Sequence, residues 1–409
     1  MAPRRPDKKS KKGAAISRAA GGSNSSTSTN ASKPAVVAPQ VLVKAAEYNL
    51  QEGNVQDAAT LAEKALEAAS ATPGSDDALS ALNLLGQIHL ELGDLDVARA
   101  YLLRAVAIDE DGSKDESVGG GPDKFLSLAQ LSEEGGHDSV GWFEKGATAL
   151  RARLQILEGA ERQRHQLLPR NQNKNKHRDE PAAVLEEMRR KLAMTLCSVA
   201  EVYMTDLSWE EDAEQRCEAL TTEATMVAPD FAETWQTLAN VRISQSRFDD
   251  ARAALTRSLQ LWKDLPPEHP SVPDFPSQVG LSRLLMEVEM EQEAIEVLER
   301  LVGEDDQSVE VWYLGGWSLF VTGEKQKEKA SADEEEWKTS WISSRVWLNQ
   351  CLHLYALQDY EDERLGEHAK ELLASIAKEL GEAPAGLDDD DEDGEDGWED
   401  EESDEEMHQ

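Results

Sequence analysis

The sequence predicts an all-α fold in which antiparallel helix pairs stack into a solenoid, and three observations lead there. Trp235-x2-Leu238-Ala239 followed by Ala251-x3-Leu255-x2-Ser258 sets large and small residues at helical spacing on two consecutive segments. Similar spacing recurs before and after it, and one helix pair cannot bury its own apolar face without stacking on neighbours. Aromatic residues are only 5 % of the chain, and β-branched residues are sparse beside Ala, Leu and Glu, a mixture that favours helix.

About seven repeat-like units fit between Val41 and Leu387, closed by one capping helix. The first joins a helix with Ala45-Ala46 to one with Ala58, Ala62 and Ala65, through Gly53 at the turn. The second runs Leu82-x2-Leu85-Gly86, turns at Gly93-Asp94-Leu95, and continues with Ala98, Leu102 and Ala105. The third is less regular: Phe125-x2-Leu128-Ala129, a turn at Gly135-Gly136, then Ser139, Phe143 and Gly146. The fourth pairs Ala200 and Tyr203 with Ala224 and Pro229 across an insertion around Ser208-Trp209, and the Trp235–Ser258 unit is the fifth. Leu281, Ala294, Leu298 and Leu301 mark the sixth; the seventh begins Trp312-x2-Gly315-Gly316 and resumes at Ser344, Leu348 and Cys351. Small residues at fixed positions let helices approach, and large ones fill the space between them. The pattern is similar to the tetratricopeptide repeat (TPR).

The chain divides into three parts. Residues 1–40 lack periodic apolar positions, are rich in Ser, Ala, Lys and Pro, and are expected to be disordered. The repeat region spans 41–387, with spacers near 112–122, 159–180, 263–276 and 325–337. The first is Gly-rich, the second basic, and the third holds five prolines and predicts a non-helical crossing. Gly381 and Pro384 stop the last helix, and residues 388–409 form an acidic tail that is also expected to be disordered.

Charge narrows the function. The 42 basic and 81 acidic residues leave a formal net charge of −39. The N-terminal 40 residues carry +7 and the last 22 carry −15, so the repeat region itself holds −31. Such an excess repels nucleic acid and anionic membranes and favours a basic partner. No apolar run is long enough to span a bilayer. The cysteines Cys197, Cys217 and Cys351 and the eight histidines lack metal-ligand spacing, and no nucleophile elbow, phosphate loop or dinucleotide fingerprint is present. We therefore expect no enzyme activity, no cofactor and no metal. The cluster Arg4, Arg5, Lys8, Lys9, Lys11 and Lys12 predicts binding of a nuclear-import receptor, and hence shuttling between cytoplasm and nucleus.

In a TPR array the first helix of each pair lines the concave face. Alignment of the units puts Glu47, Glu91, Glu133, Glu134, Glu201, Glu233, Glu287 and Glu310 on or near it. Asn83, Gln87, Gln236 and Asn240 are expected to interleave as polar readers, with Tyr313 and Trp317 as aromatic anchors. The bland reading treats each glutamate as an ordinary solvated helix residue; their clustering argues otherwise. An acidic groove with an acidic tail predicts capture of a basic polypeptide, the groove supplying shape and the tail steering.

TPR proteins that clamp the acidic C-termini of heat-shock chaperones use Lys, Asn and Arg on this face. The matching positions here are Val43, Glu47, Asn83 and Leu84, so the clamp is missing. The chain instead resembles the fungal dedicated assembly chaperones of large-subunit ribosomal protein four. The resemblance rests on the Lys-rich N-terminus, the repeat array, the acidic tail, and Asp206-Leu207-Ser208-Trp209-Glu210-Glu211-Asp212-Ala213-Glu214 with Cys217 ahead of Ala224 and Pro229. It implies a superhelical chaperone that captures a newly made ribosomal protein, shields its long basic internal loop and escorts it to the nucleus. The alternative is a scaffold subunit of a stable complex, with the acidic tail serving solubility.

Overall fold

The computed structural model describes residues 37–381 apart from 71, 73, 168–179 and 330–333. The expected disordered tails and the import cluster lie outside the described residues, save for the last residues before the first helix. The described residues hold fifteen α-helices and no strand. They pair as α1 (Pro39–Gln51) with α2 (Val55–Ala69), α3 (Asp76–Glu91) with α4 (Leu95–Val106), and α5 (Asp123–Gln130) with α6 (Gly136–Leu167). Next come α7 (Glu180–Met204) with α8 (Ala213–Val227), α9 (Ala232–Ser244) with α10 (Phe248–Trp262), and α11 (Phe275–Glu287) with α12 (Glu291–Glu304). The last pair is α13 (Val309–Glu328) with α14 (Glu334–Leu357), and α15 (Glu363–Leu380) closes the stack.

Local chemistry sets several of these boundaries. Ser75, Asp274, Ser308 and Asp362 each accept a backbone N–H in the first turn of the helix they precede, satisfying donors that have no partner inside it. Pro276 stands in the first turn of α11, where its missing N–H costs nothing. Within pairs the small residues sit where the partner helix comes closest. A side chain on Gly86 would collide with Leu102, and one on Gly316 with Leu348. Ala239, Ala251, Leu255 and Ser258 of the fifth unit are fully buried.

The core is a chain of local clusters handed from one pair to the next. Ala46, Ala62, Leu85 and Ile88 join the first two pairs. Phe143, Tyr203, Cys217 and Val241 link α6 to α9. Leu255, Trp262, Leu281, Leu298 and Leu314 carry the packing from α10 to α13, and Leu348, Cys351, Leu354, Ala369 and Ile376 seat α15.

The described parts of two expected spacers are mostly helical. Residues 159–167 extend α6, which reaches 32 residues, and residues 325–328 and 334–337 extend α13 and α14. Residues at the ends of α13 and α14 stay packed: Lys327 lies over the Trp337 and Trp341 rings and pairs with Glu379 at 2.8 Å. The five-proline crossing between α10 and α11 is non-helical up to Phe275.

Candidate functional site

The first helices α7, α9, α11, α13 and α15 touch in succession, as do α1 and α3. The second helices α8, α10, α12 and α14 make no comparable contact with one another. Closer approach along one row curves the stack towards that row, so the first helices line its concave side.

Between α3 and α7 this row is modified. The segment Glu110–Pro122 folds back onto α3, and the Asn83 amide donates to the Gly119 carbonyl. Lys114 pairs with Asp76 at 2.7 Å on the same helix. Beneath it Lys124 Nζ donates to Asp109 Oδ2 at 2.6 Å and to the Gly121 carbonyl at 2.6 Å, with both side chains out of solvent. Asn83 is therefore engaged by the loop, while Gln87 and Glu91 further along α3 stay exposed, as does Glu47 on α1. Glu133 and Glu134 sit in the turn between α5 and α6 rather than on a helix face, because α5 ends at Gln130.

The centre of the groove is built by α7 and α9. Cys197 is buried, and Thr237, Glu201 and Glu233 all act on its thiol, which burial pushes up to about 12. Glu201 and Glu233 are both raised above the ordinary carboxylate value, chiefly by burial, and for Glu233 also by Asp274. The Glu201 side chain still touches solvent; the protein around it nevertheless displaces enough water to penalise the charge. Asn240 on α9 and Glu287 at the end of α11 are exposed further along.

Four expected contact residues are placed otherwise. Gln236 is buried, its amide 3.5 Å from Ser258 Oγ, which donates to the Ala232 carbonyl. It belongs to the α9–α10 packing, one helical step off the groove. Glu310 is half-buried and paired with Arg283 of α11. Tyr313 and Trp317 are half-buried against α15: the Tyr313 hydroxyl and His368 Nδ1 lie 2.7 Å apart, and the Trp317 ring meets His368 edge-on at 5.2 Å. The capping helix thus takes the aromatic face of α13.

Ion pairs form on first and second helices alike; Arg190–Glu186 lies within α7 and Lys191–Asp123 joins α7 to α5. Arginines of the second helices and their turns neutralise neighbouring carboxylates, as in Arg151–Glu223 at 2.7 Å, Arg247–Asp250 at 2.6 Å and Arg252–Asp249 at 2.8 Å, and Arg242 of the first helix α9 reaches Glu218 of α8 at 2.7 Å. Glu47, Glu91, Glu201, Glu233 and Glu287 on the first helices have no ion-pair partner among the described residues. Sequence reasoning could not single out which glutamates stay unpaired, because that depends on which arginines reach across to which helix. Among the described residues no group of three His, Cys, Asp or Glu side chains could hold a metal ion, and no helix is long and apolar enough to cross a membrane.

Residues 38–111 match the model of a tetratricopeptide repeat family. An Emericella nidulans protein described as "Probable assembly chaperone of rpl4" is 47 % identical over 377 residues, covering 90 % of this chain and 89 % of its own. The chain belongs to the family of rpl4 assembly chaperones. A Schizosaccharomyces pombe member with the same description is 32 % identical, covering 88 % of this chain and 95 % of its own. A solved structure titled "Assembly Chaperone of RpL4 (Acl4) (Residues 1-338)" is 57 % identical, with a TM-score of 0.65 over 72 % of this chain and all of that one. The assembly-chaperone family and the TPR architecture thus agree with the row of paired helices described above.

Proposed function

We propose that this family member captures a newly made ribosomal protein, rpl4, by laying a basic segment of it along the first-helix row. The unpaired carboxylates of Glu47, Glu91, Glu201, Glu233 and Glu287 carry this reading. Carboxylates left without partners along this row, two of them at a desolvation cost, favour a cationic ligand. A basic ribosomal segment supplies that charge, and burying it here keeps it from RNA. The role is binding without catalysis, and the described residues offer no alternative chemistry at the groove. The basic cluster Arg4, Arg5, Lys8, Lys9, Lys11 and Lys12 would recruit an import receptor and carry the complex to the nucleus. Its replacement by alanine should then leave the protein in the cytoplasm.

The test is co-purification of the client with a protein in which Glu91, Glu201, Glu233 and Glu287 are changed to Lys. Loss of one stoichiometric basic ribosomal protein, with retention when Glu296 and Glu299 on α12 are changed instead, supports the groove. Undiminished recovery from the fourfold variant removes it. Recovery of the wild-type protein only inside a large complex would favour the scaffold reading.

A further inference from the structure

Other second helices expose large apolar residues, Leu95, Val97 and Leu103 on α4, Met226 on α8 and Phe248 on α10, but α14 gathers its own into one stripe on its outer face. The exposed positions of α10 include Asp249, Asp250, Thr256 and Gln260, and those of α12 include Gln292, Glu296 and Glu299. On α14, Ile342 is 48 % exposed, Val346 57 % and Leu357 68 %, with His353 also exposed between them. Residues 342, 346, 353 and 357 fall within about 60° of arc at 3.6 residues per turn, so they form one stripe. From Trp337 to Leu357 the helix carries Lys338 and Arg345 and no acidic residue, in a chain of net charge −39. Both cations lie on or beside the stripe.

The chain itself returns to this place. Arg345 Nη1 donates to the carbonyl of Gly381 at 3.3 Å, so the polypeptide leaves α15 within reach of a side chain three residues from Ile342 and next to Val346. The 28 residues that follow hold sixteen acidic residues, no Lys or Arg, and Leu387, Trp398 and Met407 as their large apolar residues. Leu387 is six residues beyond Gly381, a reach of about 20 Å when extended, which spans the roughly 18 Å of helix from Arg345 to Leu357.

We propose that the acidic segment 382–409 docks along the outer face of α14. Leu387 covers the Ile342–Val346 part of the stripe, and the carboxylates after it lie against Lys338 and Arg345. Tethering favours this occupant over a free one, because a short connection holds the segment at a millimolar effective concentration. The inference does not rest on the client or the groove. Docking keeps the acidic segment beside the last repeat on the convex side, away from the like-charged first-helix row.

A photo-crosslinking residue in place of Val346, in the full-length chain, tests it. Monomer-sized adducts that map by mass spectrometry to peptides within 382–409 are expected, reduced at least several-fold by Leu387→Asp and by 0.5 M salt. Leu387 lies beyond the last helix, so that variant leaves the stack folded, which circular dichroism checks. Adducts to a second copy of the chain, or light-dependent loss of the label without any tail adduct, would overturn the proposal.

Discussion

Lys124 and Asp109 form an ion pair 2.6 Å long with both side chains only 1 % exposed, and it anchors the loop that covers part of α3. The second oxygen of Asp109 accepts the backbone N–H of Lys114, and the ammonium lies 4.6 Å from the centre of the Phe125 ring. Each charge depends on the other. Asp109→Asn or Lys124→Met alone should therefore destabilise the protein by about 3–5 kcal/mol, because the remaining charge stays buried without its counterpart. The double variant should cost less than either single one. Urea denaturation of the three variants measures the coupling; additive losses would contradict it. Faster proteolysis within 110–122 of the single variants would report release of the loop from Asn83.

Glu201 and Glu233 should trade stability for binding. Burial raises both carboxyls above their ordinary value of 4.5, so each holds its proton more tightly in the folded than in the unfolded state. The resulting penalty is absent below the unfolded value, grows as pH rises from there towards the raised folded values, and is complete above them. Replacing both with Gln should stabilise the free protein at pH 7 and give no such gain at pH 4. The same change should weaken a basic client by about tenfold at pH 7, since two partly exposed ion pairs contribute roughly 1.4 kcal/mol together. Urea midpoints at the two pH values, beside calorimetry with a client peptide, read both effects. A variant less stable at pH 7 would mean that these carboxylates support the fold instead.

Much of the architecture was legible in the residues, because helix pairing follows from local spacing. Gly86, Ala239 and Gly316 mark the close approaches, and the structure finds Leu102 or Leu348 waiting at two of them. The groove was less legible. A one-residue rotation on α9 moves Gln236 from the open face to Ser258, and spacing alone does not fix rotation to that accuracy. Tyr313 and Trp317 lie on the first-helix row, yet α15 folds over them through His368, a contact 55 residues away in sequence for Tyr313. Composition alone marks 159–180 as a basic spacer, and α6 continues as helix through its first nine residues.

The three cysteines should be inert in the folded protein. All are buried and unpaired; Cys197 and Cys351 are pushed up to about 12 by burial, and Cys217 is raised for the same reason. Only the thiolate attacks, so at pH 8 almost none is available to a reagent that could not reach it in any case. Titration with a chromogenic disulfide should count three thiols in guanidinium and none within minutes under native conditions. A thiol that reacts rapidly in the native protein would reveal local opening of its helix pair.

The turns between paired helices make the last prediction. Gly53 and Gly93 take φ of 78° and 76° where the first helix ends, and the same turn recurs with Ser246 at 59° and Glu289 at 64°. In each case the next residue donates its N–H back to the first helix, as Asp94 does to the His89 carbonyl and Met290 to that of Leu285. A Cβ is disfavoured in this left-handed region, and glycine is not. Glu289→Gly should therefore stabilise the protein by about 0.5–1 kcal/mol, less whatever the exposed 3.8 Å pair with Lys325 contributes. Glu289→Ala keeps the Cβ and should give no gain, and Gly93→Ala should cost about 1 kcal/mol. Urea midpoints of the three variants decide it: if Glu289→Gly is no more stable than Glu289→Ala, the turn geometry does not limit stability there.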